Sequence, residues 1–227
     1  PFGIDDAAAA PDGSFAFAIG HGDPGAPDGY AEKVVFGHLD QPGLIATWVS
    51  PWSVLQWGVF HVGWDGAAFL IDFRSNSSPD VLMLRLAPDG SEVLAPTEVG
   101  SIATIERNRS SFHTDADTGT TWLASDAYAM EPYQGVWLSG HQRAGDPLPG
   151  TPSDGYTLVN GQGVAPIWPS EDTTVAAEGD RALLAWGTNT LSTTYLQLVQ
   201  GGEEVGDALV LFDSHGATAL TTFERAA

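Results

Sequence analysis

Apolar residues in this chain come in short bursts separated by turns of Gly, Asp and Asn. No window sustains the period of an amphipathic helix. The clearest stretch is 175–213, VAAEGDRALLAWGTNTLSTTYLQLVQGGEEVGDALVLFD. Strands are expected there at 175–177, 182–186, 194–199 and 208–212, with tight turns at 178–180 and 201–202. Strand-length runs bounded in this way predict an antiparallel meander.

The same unit recurs. RALLAWG at 181–187 has counterparts in SFAFAIG at 14–20, AAFLIDF at 67–73 and TTWLASD at 120–126, so the copies start 53, 53 and 61 residues apart. Each follows a turn that holds Asp and Gly: Asp12-Gly13, Asp65-Gly66, Asp117-Thr118-Gly119 and Gly179-Asp180. Short segments at 7–10, 59–62, 111–113 and 175–177 precede those turns. A third strand is expected at 33–39, 81–86, 136–140 and 194–199, and a fourth at 44–49, 92–99, 156–159 and 208–212. The third copy is the least regular, because its loop 146–155 is rich in Pro.

Four tandem four-stranded meanders predict an all-β fold. The expected architecture is one small β-propeller domain over 1–227, with blades at 4–52, 53–101, 102–163 and 164–227. A single twisted sheet cannot bury both of its faces, whereas neighbours around an axis cover one another. A β-sandwich is the competing arrangement. A fragment of a longer propeller is the third, with 217–224 as a closing strand or the first strand of a further blade. The repeat resembles the tandem propeller repeats of exported bacterial proteins across nearly the whole chain. That resemblance implies geometry and no particular activity. The signature residues and closing disulfide of hemopexin-like four-bladed domains are absent.

Composition strengthens the β reading, with 27 Gly and 15 Pro to break helices and eight Trp and ten Phe to fill space between sheets. Acidic residues number 29 against eight basic ones, for a net charge of −21, and Lys33 is the only lysine. Such a charge repels nucleic acid and anionic membrane, and it suits solubility, cation binding or a saline habitat. With no cysteine there is neither a disulfide nor a thiolate metal site. No apolar run approaches the ~20 residues of a membrane-spanning helix. The chain opens on Pro1 without a leader segment. The expectation is therefore a mature chain whose leader has been cleaved, or an excised domain, of an exported protein: extracellular, cell-surface or periplasmic.

Two groups of residues are candidates for chemistry. Trp48, Trp52, Trp57 and Trp64 crowd one span, with Asp65 beside them. Exposed indole faces stack on sugar rings while a carboxylate reads hydroxyls, as in lectin-like propellers; the competing role is packing between blades. Asp115 and Asp117 offer oxygen ligands at alternate positions, which makes Ca²⁺ the candidate cofactor, although the full helix-loop-helix pattern is missing. His61 and His113 precede the turns of copies two and three, and two imidazoles with a carboxylate form a competent metal set. Backbone hydrogen bonding is the structural alternative for both.

The run Asp115-Ala-Asp117-Thr-Gly119-Thr-Thr121-Trp122 is similar to the Asp-box of sialidase-like propellers, with Asp115 in place of the leading hydroxyl residue. The resemblance implies a folding device: a carboxylate capping a turn, a Gly at a special backbone angle, a Trp between sheets. Seven arginines without the placement of a carboxylate grip argue against sialidase activity. No nucleophile elbow, phosphate loop or dinucleotide fingerprint occurs. The expected function is a non-catalytic binding or assembly module with a glycan or protein partner, and no catalytic residue is assigned. A glycosidase-type hydrolase with carboxylates near the axis, and a structural subunit of a surface assembly, are the alternatives.

Overall fold

The computed structural model describes residues 3–22, 30–49, 61–74, 80–101, 110–127, 135–150, 156–158, 173–188 and 193–213. Sixteen strands fill them and form four antiparallel sheets of four strands each. The first sheet holds β1 (Gly3–Ala9), β2 (Ser14–Gly22), β3 (Tyr30–His38) and β4 (Gln41–Val49). The second holds β5 (His61–Trp64), β6 (Phe69–Arg74), β7 (Asp80–Leu86) and β8 (Glu92–Ser101). The third holds β9 (Ser110–Thr114), β10 (Thr121–Ala127), β11 (Gly135–His141) and the short β12 (Tyr156–Leu158). The fourth holds β13 (Thr173–Glu178), β14 (Arg181–Thr188), β15 (Thr193–Gln200) and β16 (Glu203–Asp213). Within every sheet, strands neighbour one another in chain order. The expected meander thus recurs four times. The expected strand at 217–224 lies outside the described residues.

Turn chemistry sets the strand ends. Asp12 accepts a hydrogen bond from Ser14 N at 2.9 Å, Asp89 from Ser91 N at 3.0 Å and Asp115 from Asp117 N at 3.0 Å, each closing a turn two residues on. Gly66 in the second repeat has φ +87°, and a Cβ there would run into the carbonyl oxygen of Ala116. Only Gly fits that position.

The chain divides into two compact units. One comprises 1–103, 114–119 and 143–145; the other comprises 104–113, 120–142 and 146–227. In the first, β1 lies against β5, and Ala16, Val34, Phe36 and Trp48 of the first sheet pack with Val62, Phe69, Ile71 and Leu84 of the second. In the second, β10 lies against β13, and Trp122, Ala124 and Leu138 pack with Val175, Leu184 and Trp186. In both units a sheet buries one face against its sequence neighbour.

Candidate functional site

The most chemically loaded spot lies where β1 meets β5, and a single extra residue creates it. Gly3 and Ile4 pair with Gly20 and Ile19, but Asp6 pairs with Ala18, so Asp5 is bulged out of the ladder. Directly opposite residues share a face. The bulge therefore leaves Ile4 on the outer face with Ile19 and turns Asp6 to the inner face with Ala18, Val34 and Trp48. From there Asp6 Oδ2 accepts a hydrogen bond from Val62 N at 2.9 Å and stands 3.6 Å from His61 Nδ1. Asp6 Oδ1 accepts from Ala7 N at 2.8 Å.

Burial raises the Asp6 carboxyl, yet the bonds from His61, Val62 and Ala7 outweigh it and hold Asp6 below its ordinary value of 3.8. His61 is nearly buried, and directly opposite it on β6 stands Asp72, only 1% exposed. A carboxylate beside one ring nitrogen fixes the tautomer of an imidazole and orients it. Asp6 is thus placed to orient the His61 ring.

The lowered Asp6 value has a consequence for acid stability. A carboxyl depressed in the fold contributes stability that is complete above its unfolded value and is lost as pH falls through the folded value. Asp6→Asn is expected to lose about 1 kcal/mol at pH 6, a figure for bonds to a charged group discounted for partial exposure. The gap between variant and wild type should shrink as pH falls below 3.8. Urea unfolding of both proteins down a pH series measures it, and a gap that does not change with pH would refute the assignment.

The structure redistributes the residues expected to act. Trp48 is 8% exposed on the inner face of β4, packed in the core, with its Nε1 donating to Glu92 Oε1 at 3.4 Å. Trp64 is half-buried and sits edge-on against Phe69 at 5.0 Å. Trp52 and Trp57 lie outside the described residues. Asp65 is fully buried. Its carboxylate accepts from Ala67 N at 2.9 Å and Ala68 N at 2.8 Å, and pairs with Arg85 Nε at 2.5 Å. Arg143 donates to the Asp65 carbonyl at 2.6 Å.

The metal-ligand candidates are likewise engaged. Asp115 Oδ1 holds Asp117 N, Asp115 Oδ2 accepts from Thr118 Oγ1 at 2.8 Å, and its carbonyl accepts from Gly119 N at 2.7 Å. These bonds form a capped turn. His61 belongs to the first unit and His113 to the second, and the partner identified for His61 is Asp6. Among the described residues, no group of three or more His, Asp or Glu is arranged to hold a metal ion. Asp6 is not legible in the sequence because the repeat alignment carries no signal for a one-residue bulge.

No family model matches the sequence, and no curated protein matches it. Among solved structures, the chain is similar to a GH43_1 enzyme from Xanthomonas citri, with a TM-score of 0.51 and 14% identity over 92% of this chain and 73% of that one. The same enzyme complexed with xylose gives a TM-score of 0.45 and 13% identity over 92% and 72% of the two chains. A eukaryotic initiation factor gives 0.45 and 9% over 94% of this chain and 44% of that one. At such identities the likeness speaks to fold alone. GH43 enzymes are β-propellers, and four four-stranded antiparallel sheets put this chain in the same all-β class.

Proposed function

We propose that this chain is a carbohydrate-binding propeller of an exported or cell-surface protein, one that holds its ligand without cleaving it. The observation that carries this reading is the fold likeness to the GH43_1 enzyme over 92% of the chain. Support for the non-catalytic part comes from five described carboxylates of the chain's 29 acidic residues. A glycosidase acid needs a raised pKa. Asp6, Asp12 and Asp89 are instead all held below the ordinary value, Asp12 first by the Ser14 backbone bond and Asp89 first by the Ser91 hydroxyl. Asp65 and Asp115 are committed to their turns. A glycan array followed by calorimetry on any hit tests the reading; saturable binding to at least one oligosaccharide is expected. Absence of binding across neutral, acidic and aminated glycans would overturn it.

One observation favours a second reading, a glycosidase-type hydrolase: His61 lies beside Asp6 and pairs across the ladder with Asp72, which brings two acids and an imidazole to neighbouring strands. Turnover of aryl glycosides that disappears in both Asp6→Asn and Asp72→Asn, with folding retained, would select it over pure binding.

A further inference from the structure

The sheets pair differently at their centres and at their last strands. The central ladders are unbroken: β2 with β3 from Ser14 to Gly22, β6 with β7 from Phe69 to Arg74, β10 with β11 from Thr121 to Ala127, and β14 with β15 from Arg181 to Thr188. In three of the four sheets the ladder to the last strand is broken. In β4, Ile45 is surplus between Ala46 and Leu44, whose partners Phe36 and Gly37 are adjacent, and Pro42 and Gly43 are surplus before Gln41. In β8 the register shifts between Gly100 and Glu98, between Thr97 and Leu94, and between Leu94 and Glu92. In β16 it shifts between Phe212 and Val210, which leaves Leu211 surplus, and again between Leu209 and Val205. Each shift puts the surplus in the end strand and not in its inner partner. The fourth end strand, β12, pairs only over Tyr156–Leu158.

An end strand presents a row of backbone N–H and C=O groups on its far side, a template for a further strand. Among the described elements of its own unit, each of β4, β8 and β16 lies extensively only against the strand it pairs with. Their compositions differ. β8 carries Glu92 and Glu98, and β16 carries Glu203, Glu204 and Asp207, whereas Gln41–Val49 has no charged residue. Ile45 is 48% exposed and Val49 49%.

We propose that the surplus residues of β4, β8 and β16 guard the sheet edges against pairing with a second copy of this chain. A surplus residue bends its strand and breaks the spacing of the free backbone groups, so a straight partner loses register after a few residues. The longest regular runs left are 46–49 in β4, 97–98 in β8 and 203–205 in β16. Charge is a second guard on β8 and β16. β4 has only Pro42, which offers no N–H, and so depends most on its bulge. This inference does not depend on the glycan reading.

Deletion of Ile45 tests it. The deletion makes Ala46 and Leu44 neighbours opposite Phe36 and Gly37 and leaves the edge regular from 44 to 49. Light scattering behind size exclusion, across a concentration series, should then read about twice the wild-type mass, because antiparallel pairing of two identical edges is a two-fold contact that closes on itself. Ile45→Thr keeps the bulge and should keep the wild-type mass. Thr47 is exposed on the straightened edge, and adding Thr47→Lys to the deletion should restore that mass. An edge lysine blocks strand pairing but does not repair a misfolded chain. It also lowers the net charge of −21, so added repulsion cannot explain the rescue. Deletion of Leu211, at the separate bulge of β16, should give the same rise at higher concentration, because acids share that strand. Circular dichroism and urea unfolding follow the fold of each variant. A folded deletion variant with the wild-type mass at every concentration would overturn the proposal, leaving the bulges as a product of strand twist. So would an Ile45→Thr protein, or a deletion carrying Thr47→Lys, that associates like the plain deletion. Failure of both deletions to fold would overturn it too, since the bulges would then be a requirement of the fold itself.

Discussion

Asp65→Ala is expected to destabilise the fold by about 3–5 kcal/mol, the cost of removing one partner from a buried ion pair. Asp65 has no exposure, and the Arg85 side chain is 11% exposed. Truncation would leave that guanidinium in the interior without a counterion and strip Ala67 N and Ala68 N of their acceptor. Arg143 would keep its bond to the Asp65 carbonyl but lose the nearby carboxylate, whose Oδ1 lies 3.8 Å from its Nε. Equilibrium unfolding in urea measures the loss. Asp115→Ala is the control, because the same two-residue turn is closed there at an exposed position. Its cost should stay near 1 kcal/mol. Asp65→Asn should fall between the two, keeping an acceptor for the turn while removing the charge that faces Arg85. A cost for Asp65→Ala no greater than that of the control would mean that the ion pair contributes nothing and the turn alone matters.

That contrast marks the boundary of what the sequence carries. The Asp and Gly of each first turn are visible in the chain because turn chemistry is local: the acceptor and its N–H donor are two residues apart. What sets Asp65 apart from Asp12 and Asp115 is Arg85, a residue of the third strand that only the completed sheet brings over the turn. The strands themselves were legible because apolar runs and Gly turns repeat. The stretches expected at 14–20 and 181–187 fall within β2 and β14.

Side-chain direction was harder to read. In β4, Trp48 and Ala46 face the core while Thr47 and Val49 face outward. The crowding of Trp near residue 50 was therefore a weaker guide than the alternation of Ala46 to Val49. The Asp6 and His61 pair was illegible for a sharper reason. Ile4 and Asp6 should share a face in a regular strand, and the extra Asp5 sends them to opposite ones. Insertion of one residue leaves composition and repeat spacing untouched, so nothing in the sequence announces it.

Trp122→Ala is expected to cost about 3–5 kcal/mol, from lost transfer energy and the cavity left behind. Trp122 is fully buried on β10 in the core of the second unit, among Leu138, Leu148 and Val175. Gly140 lies against its ring so closely that a Cβ there would sit 3.0 Å from the indole. Its Nε1 donates at 3.1 Å to the carbonyl of Gly179, in the first turn of the following repeat. Thr120 Oγ1 donates to the same oxygen at 3.0 Å, so the carbonyl keeps one donor when the indole is removed. The larger part of the loss should therefore come from volume and not from the hydrogen bond. Trp122→Phe separates the two: it keeps most of the ring and forfeits the N–H, and it should cost about 1–2 kcal/mol. Urea unfolding of both variants gives the comparison. A Phe variant as damaged as the Ala variant would mean that the bond to Gly179 dominates. In either case the motif running from Asp115 to Trp122 fastens one sheet to the turn of the next. A Trp committed to that role is not a sugar platform, so Trp122→Phe should leave glycan affinity unchanged. A large loss of affinity in a folded Trp122→Phe protein would return this motif to the binding surface.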